Sequence, residues 1–163
     1  MHHWFLSGID HAPFEGLFEL SDLQLREIGA VRRHATEAFG FPCRISLEDA
    51  QIGEELLLLP YEHHPAKSPY RASGPIFVRR GVRRRQLDAG EVPGYVARRL
   101  ISVRAYDTAS LMVASAVCDG NAVADQLDEL FADHRVRYVH LHNARAGCYS
   151  CQARHTHLLT RRR

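Results

Sequence analysis

Two histidines spaced one residue apart stand in Val136-Arg137-Tyr138-Val139-His140-Leu141-His142, with Cys148 a few residues later behind Gly147. On a strand, alternate side chains share a face. That sends Val139 and Leu141 one way, and Tyr138, His140 and His142 the other. An apolar face needs a core, so the histidines and the tyrosine are expected on the opposite surface or on a pocket wall. Two imidazoles so placed can bind one transition metal, zinc or another, with His140, His142 and either Cys148 or His63 as ligands. A second chemistry uses the same residues. Cys148 is then a nucleophile activated by a neighbouring imidazole such as that of His142, with Asp107 or Glu62 orienting the ring. In a third reading the histidines satisfy hydrogen bonds on a half-buried sheet face, and Cys148 is a small core residue.

Other features bear on ligands. The loop Ser68-Pro69-Tyr70-Arg71-Ala72-Ser73-Gly74-Pro75 can present hydroxyls and a guanidinium from a rigid scaffold, or can be an ordinary connection shaped by its prolines. With Tyr138, His63 and Arg104, its residues Tyr70, Arg71 and Ser73 make a candidate binding set for a small anionic ligand. Arg44, Glu54, Arg104 and Asp107 sit in or beside expected strands, as buried ion pairs or as ligand-facing groups. Cys148-x2-Cys151-x3-His155-x-His157 has zinc-ligand types at a spacing that matches no common finger. The run Arg79-Arg80-Gly81-Val82-Arg83-Arg84-Arg85 supports an alternative function, a non-catalytic module that binds an acidic partner or phosphate. No aromatic residues interleave with it and no nucleic-acid motif accompanies it, which argues against nucleic acid.

The elements that must position these groups follow from local pattern. Ser21 and Gln24 form a capping-box signature for a helix over residues 23–28 that stops at Gly29. A strand is expected over residues 30–36, then strands at 43–47, 55–62 and 75–79, bounded by Gly, Pro, Ser or Asp. Pro60 places its strand at an edge or a bulge. Pro93 fits the first turn of a brief helix through Arg99. Residues 100–107 and 111–118 read as a hairpin, and 136–142 and 149–154 as a last strand pair. Val123, Leu127, Leu130 and Phe131 make one apolar stripe on a helix over residues 121–132, with Asn121 as N-cap. The absence of regular strand–helix alternation points to an α+β fold, a mostly antiparallel sheet with about three helices on one face.

The chain has 163 residues, 45% hydrophobic and 25% charged, which suits a single folded domain spanning 1–163 with a frayed tail over 156–163. No apolar run reaches bilayer length and no secretory pattern opens the sequence. The expected compartment is the cytoplasm, where the four cysteines stay reduced. Residues 1–70 carry a net charge of −6 and residues 71–163 a net +8, the basic side chains of the latter all being arginine. Such halves can pack together and neutralise each other, or the arginines can meet an anionic ligand.

Longer motifs carry a resemblance. Phe41-Pro42-Cys43-Arg44-Ile45-Ser46-Leu47-Glu48-Asp49-Ala50, Ser68-Pro69-Tyr70-Arg71-Ala72-Ser73-Gly74-Pro75-Ile76-Phe77-Val78-Arg79 and His140-Leu141-His142-Asn143-Ala144-Arg145-Ala146-Gly147-Cys148-Tyr149 resemble the bacterial family called domain of unknown function 1203. So do Gly53-Glu54, Tyr61-Glu62-His63 and Arg104-Ala105-Tyr106-Asp107. The similarity runs from about Phe5 to Arg154. It implies a small single-domain bacterial protein and assigns no catalytic or binding residue. Cys151 stands where a small residue is expected, which weakens any metal site that depends on it.

Overall fold

The computed structural model describes residues 1–161. Its strands form two sheets of five rather than the single sheet expected. The first comprises β1 (Trp4–Ser7), β7 (Leu100–Tyr106), β8 (Met112–Asp119), β9 (Tyr138–Asn143) and β10 (Tyr149–His155), in the order β1-β10-β9-β7-β8 and wholly antiparallel. The second comprises β2 (Val31–His34), β3 (Pro42–Cys43), β4 (Glu48–Asp49), β5 (Glu55–His64) and β6 (Ala72–Arg79), in the order β2-β5-β6-β3-β4. Only β3 and β6 pair in parallel there.

Helices do not share one face either; each sheet has its own cover. Helices α3 (Gly94–Ala97) and α4 (Val123–Ala132) bury Tyr95, Val96, Val123, Leu127, Leu130 and Phe131 against Trp4, Leu6, Val103, Val139 and Leu141 of the first sheet. Helices α1 (Ala12–Glu15) and α2 (Asp22–Glu27), with the 3-10 turn Gly16–Glu19, bury Phe14, Phe18 and Leu25 against Leu57, Leu59, Ile76 and Val78 of the second. The apolar stripe of α4 is buried along its length, as its spacing predicts. A helix of 10 residues is marginal in water. Burying each large apolar side chain contributes roughly 1.5–3 kcal/mol, so packing rather than propensity holds α4 in place.

Local signals fare unevenly. The capping box of Ser21 and Gln24 is formed, and Gly29 leaves the helix at φ 75°, a conformation glycine adopts freely. Asn121 does not cap α4: it lies in the 3-10 turn Gly120–Ala122, and the capping position is Ala122, with no side-chain bond. The strand expected over 43–47 shrinks to β3. Arg44 turns inward after it, Leu47 takes φ 55°, and the Leu47 amide donates to the Cys43 carbonyl at 3.0 Å. Pro60 lies beyond the reach of β2, which pairs only with residues 55–58 of β5, and the register of β5 shifts between Tyr61 and His64. That irregular end of β5 carries His63 and His64 onto the first sheet.

Candidate metal centre

Strand β9 divides its side chains as alternation requires. Val139 and Leu141 enter the core under α4, while Tyr138, His140 and His142 face the other way. That second face is not open to water, because the end of β5 and Tyr149 close over it. His140 is 3% and His142 1% exposed. His63 arrives from β5 with its ring flat on Tyr149, centroids 5.2 Å apart and planes 6° apart. Its ring stands edge-on to His142 at 5.1 Å and to His140 at 6.1 Å.

One ring nitrogen from each of His63, His140 and His142 lies within 4.8 Å of the other two. Metal–nitrogen bonds of about 2.0–2.1 Å in a tetrahedral site put ligand nitrogens about 3.4 Å apart, so the three rings would have to turn inward to hold one ion. All three residues also hold a buried ring nitrogen with no hydrogen-bond partner: Nδ1 of His63, Nδ1 of His140 and Nε2 of His142. His142 Nδ1 donates to the Gly147 carbonyl at 3.0 Å, which fixes the tautomer and leaves the Nε2 lone pair free, the usual support for a metal-binding imidazole. Burial, with the cationic neighbours, pushes His63 and His142 down to about 4 and His140 to about 2. Near neutral pH all three are uncharged, the form a metal requires. An unsatisfied buried polar atom costs about 1–3 kcal/mol. On this sheet face the histidines meet only part of their hydrogen-bonding capacity from protein groups, His142 through the Gly147 carbonyl.

His64 backs the group without joining it. Its Nδ1 donates to the Tyr70 carbonyl at 2.8 Å and its Nε2 lies 2.6 Å from the Tyr138 hydroxyl, so both nitrogens are engaged. The Tyr138 hydroxyl oxygen also lies 2.8 Å from Ser110 Oγ. Arg104 occupies the β7 position opposite His140, and its charge lowers the proton affinity of all three imidazoles. His63 and His140 line a cavity of about 500 Å³ whose walls also include Asp10, Arg84, Gln152 and Arg154. His142 does not line this cavity.

The remaining expected residues are placed elsewhere. The Cys148 thiol does not return to the histidine face: its sulfur accepts from Arg44 Nη2 at 3.2 Å, and it lines a different cavity. The Asp107 carboxylate accepts from the Ala109 and Leu111 amides in the β7–β8 turn and orients no histidine. Tyr70 contributes its carbonyl, and its ring meets Tyr106 edge-on at 5.8 Å. Arg71 pairs with Glu62 on the surface, and Ser73 lies with Gly29 and Val31 at a separate depression. Cys151 points into the core under α4, where burial drives its thiol up to about 12. His155 packs on Phe131. The Cys148–Cys151–His155–His157 zinc arrangement is therefore not assembled among the described residues. Arg162 and Arg163 lie outside them.

The arginine run is largely spent on the acidic half of the chain. Arg79 pairs with Glu48 and Glu54, Arg80 with Glu19 and Glu55, and Arg85 with Glu48 and Glu91. Arg84 donates to the Gly8 carbonyl at 2.8 Å. Of the run, Arg83 alone is exposed with no partner among the described residues. The cavity residues Asp10 and Gln152 carried no signal in sequence, and Arg84 stood out only as part of the arginine run. The pair His63-His64 at the end of a long strand was the one cue that a second histidine element meets the His-x-His strand.

Among the described residues no helix is long and apolar enough to cross a membrane. A family model described as protein of unknown function (DUF1203) matches residues 40–155. No curated protein and no solved structure matches the chain.

Proposed function

The chain belongs to the DUF1203 family, proteins of unknown function, and on that premise we propose that it is a metal-dependent enzyme acting on a small anionic molecule. His63, His140 and His142 would be the protein ligands of one zinc-like ion. The observation that carries this reading is the grouping of His63, His140 and His142, each offering one ring nitrogen within 4.8 Å of the other two, in a place where each ring also keeps a buried nitrogen with no hydrogen-bond partner. Three neutral nitrogen ligands with no thiolate or carboxylate suit zinc first, and three protein ligands with an open fourth position is the pattern of catalytic rather than structural zinc.

Such an ion would supply a water of lowered pKa or a Lewis acid. The chain's own groups have complementary tasks. His142 is held in one tautomer by the Gly147 carbonyl. The cavity guanidiniums of Arg84 and Arg154 would receive the substrate's negative charge. His64 and Tyr138 would keep the ring of His140 from turning away, through the packed rings of His64, Tyr106 and Tyr138 around it.

The test is elemental analysis of untagged protein purified without chelator, followed by zinc titration of the apo form. One ion per chain, with uptake lost in His140→Ala, supports the reading. A folded protein that arrives metal-free and takes up no zinc overturns it.

A further inference from the structure

A second cavity, of about 520 Å³, shares no lining residue with the histidine cavity. Four guanidiniums line it, those of Arg44, Arg98, Arg99 and Arg145, and its lining contains no carboxylate. Arg98 and Arg99 share the single carboxylate of Asp49, at 3.3 and 2.5 Å. Arg145 is exposed and makes no ion pair among the described residues.

Arg44 is the anomaly. It is 2% exposed, and its donors go to the Tyr149 carbonyl at 2.7 Å, the Pro42 carbonyl at 2.6 Å and the Cys148 sulfur at 3.2 Å. Carbonyls satisfy hydrogen bonds without cancelling charge, and a buried cation without a counter-charge is costly. A second, independent anomaly sits beside it. Asn143 is 9% exposed and lines the same cavity, and its Oδ1 has no partner. A buried acceptor left open in a cavity wall calls for a donor brought by whatever fills the cavity. The lining also has an apolar part in Phe39, Phe77 and Leu100.

We propose that this cavity is a binding site for a small organic oxyanion, a carboxylate or phosphate on an apolar body that also carries a hydroxyl or N–H donor. Arg44 and Arg145 receive the oxyanion, Asn143 Oδ1 accepts from the donor, and Phe39 and Phe77 pack on the body. Cys148 stands at the wall between Arg44 and Asn143, so its sulfur reports on occupancy. The site is independent of the metal reading, since none of its residues belongs to the histidine group.

The test uses the whole protein and peptide mapping of alkylated Cys148. Iodoacetate and iodoacetamide react alike in kind: sulfur bonds to carbon and iodide leaves. At a cavity that attracts anions, the iodoacetate-to-iodoacetamide rate ratio at Cys148 should exceed that of free cysteine by about tenfold or more, and Arg145→Ala, an exposed change that spares the core, should lower it. Mandelate or phenyl phosphate should slow alkylation at concentrations where uncharged mandelamide does not; whichever acts better identifies the head group. A ratio no higher than that of free cysteine, or equal protection by mandelamide, overturns the proposal.

Discussion

The His63 ring, from the second sheet, lies parallel on the Tyr149 ring, from the first, 5.2 Å away and within 6°. The stack fixes where the third imidazole stands relative to His140 and His142. Removing the platform while keeping an apolar side chain, as in Tyr149→Leu, should weaken zinc binding about tenfold or more, with zinc uptake followed in apo protein. His142→Ala, which deletes a ligand outright, should weaken it further. Unchanged affinity in Tyr149→Leu would mean that the stack plays no part in holding His63.

Zinc should stabilise the folded protein because the unfolded chain has no assembled site. At a free concentration one hundred times the dissociation constant the gain is about 2.7 kcal/mol, a rise of several degrees in melting temperature. In His140→Ala the same addition should leave the melting temperature where it was. An equal rise in both proteins would point to binding outside this group.

Acid should weaken the apo fold in a defined window. His140 and His142 are buried with affinities for protons pushed down to about 2 and about 4, while the unfolded residues titrate near 6.5. Above about pH 6.5 both states are neutral and these groups contribute no pH dependence. Between about 6.5 and 4 the unfolded chain binds protons that the folded one refuses. Stability therefore falls as pH falls, by up to ~1.4 kcal/mol per pH unit for each group. Urea denaturation from pH 7.5 to 4.5 measures this. The slope should shrink in a His140→Leu variant, and a flat profile would contradict the burial of the two rings.

The arginine run should behave as a scaffold. Arg79, largely buried between the more exposed Glu48 and Glu54, should cost about 1 kcal/mol when changed to Ala, because its stem packing and paired hydrogen bonds are lost while water re-solvates the carboxylates. Exposed Arg83 should cost less than about 0.5 kcal/mol. Equal small effects, together with steep salt dependence of binding to an acidic polymer lost in Arg79→Ala, would restore the interaction-module reading.

Gly8 should tolerate nothing larger. An added Cβ would lie 2.0 Å from the Ile45 carbonyl oxygen, where two backbone segments meet beside the histidine cavity. Gly8→Ala should destabilise by about 2 kcal/mol or more, read by chemical denaturation. A neutral result would show that the segments can part.

Much of this was legible in the chain itself. The capping box at Ser21, the apolar stripe of α4, the β7–β8 hairpin and the alternation along β9 depend on neighbours within a few residues, and local sterics and periodicity decide them. That His140 and His142 share a face follows from the same alternation. Which residues complete their site does not. Cys148 is only six residues from His142, yet Arg44, 104 residues away in the chain, draws its sulfur to another cavity. His63, 77 residues before His140, arrives because the second sheet sends an irregular strand end across the first. The division of one expected sheet into two, and the pairing of the arginine run with the acidic half, are likewise long-range events. Such contacts form because burying two separate apolar faces outweighs the entropy of closing the loops between them. Periodicity records which faces are apolar. It does not record which distant segment covers them, and here that choice places His63 rather than Cys148 beside the histidine pair.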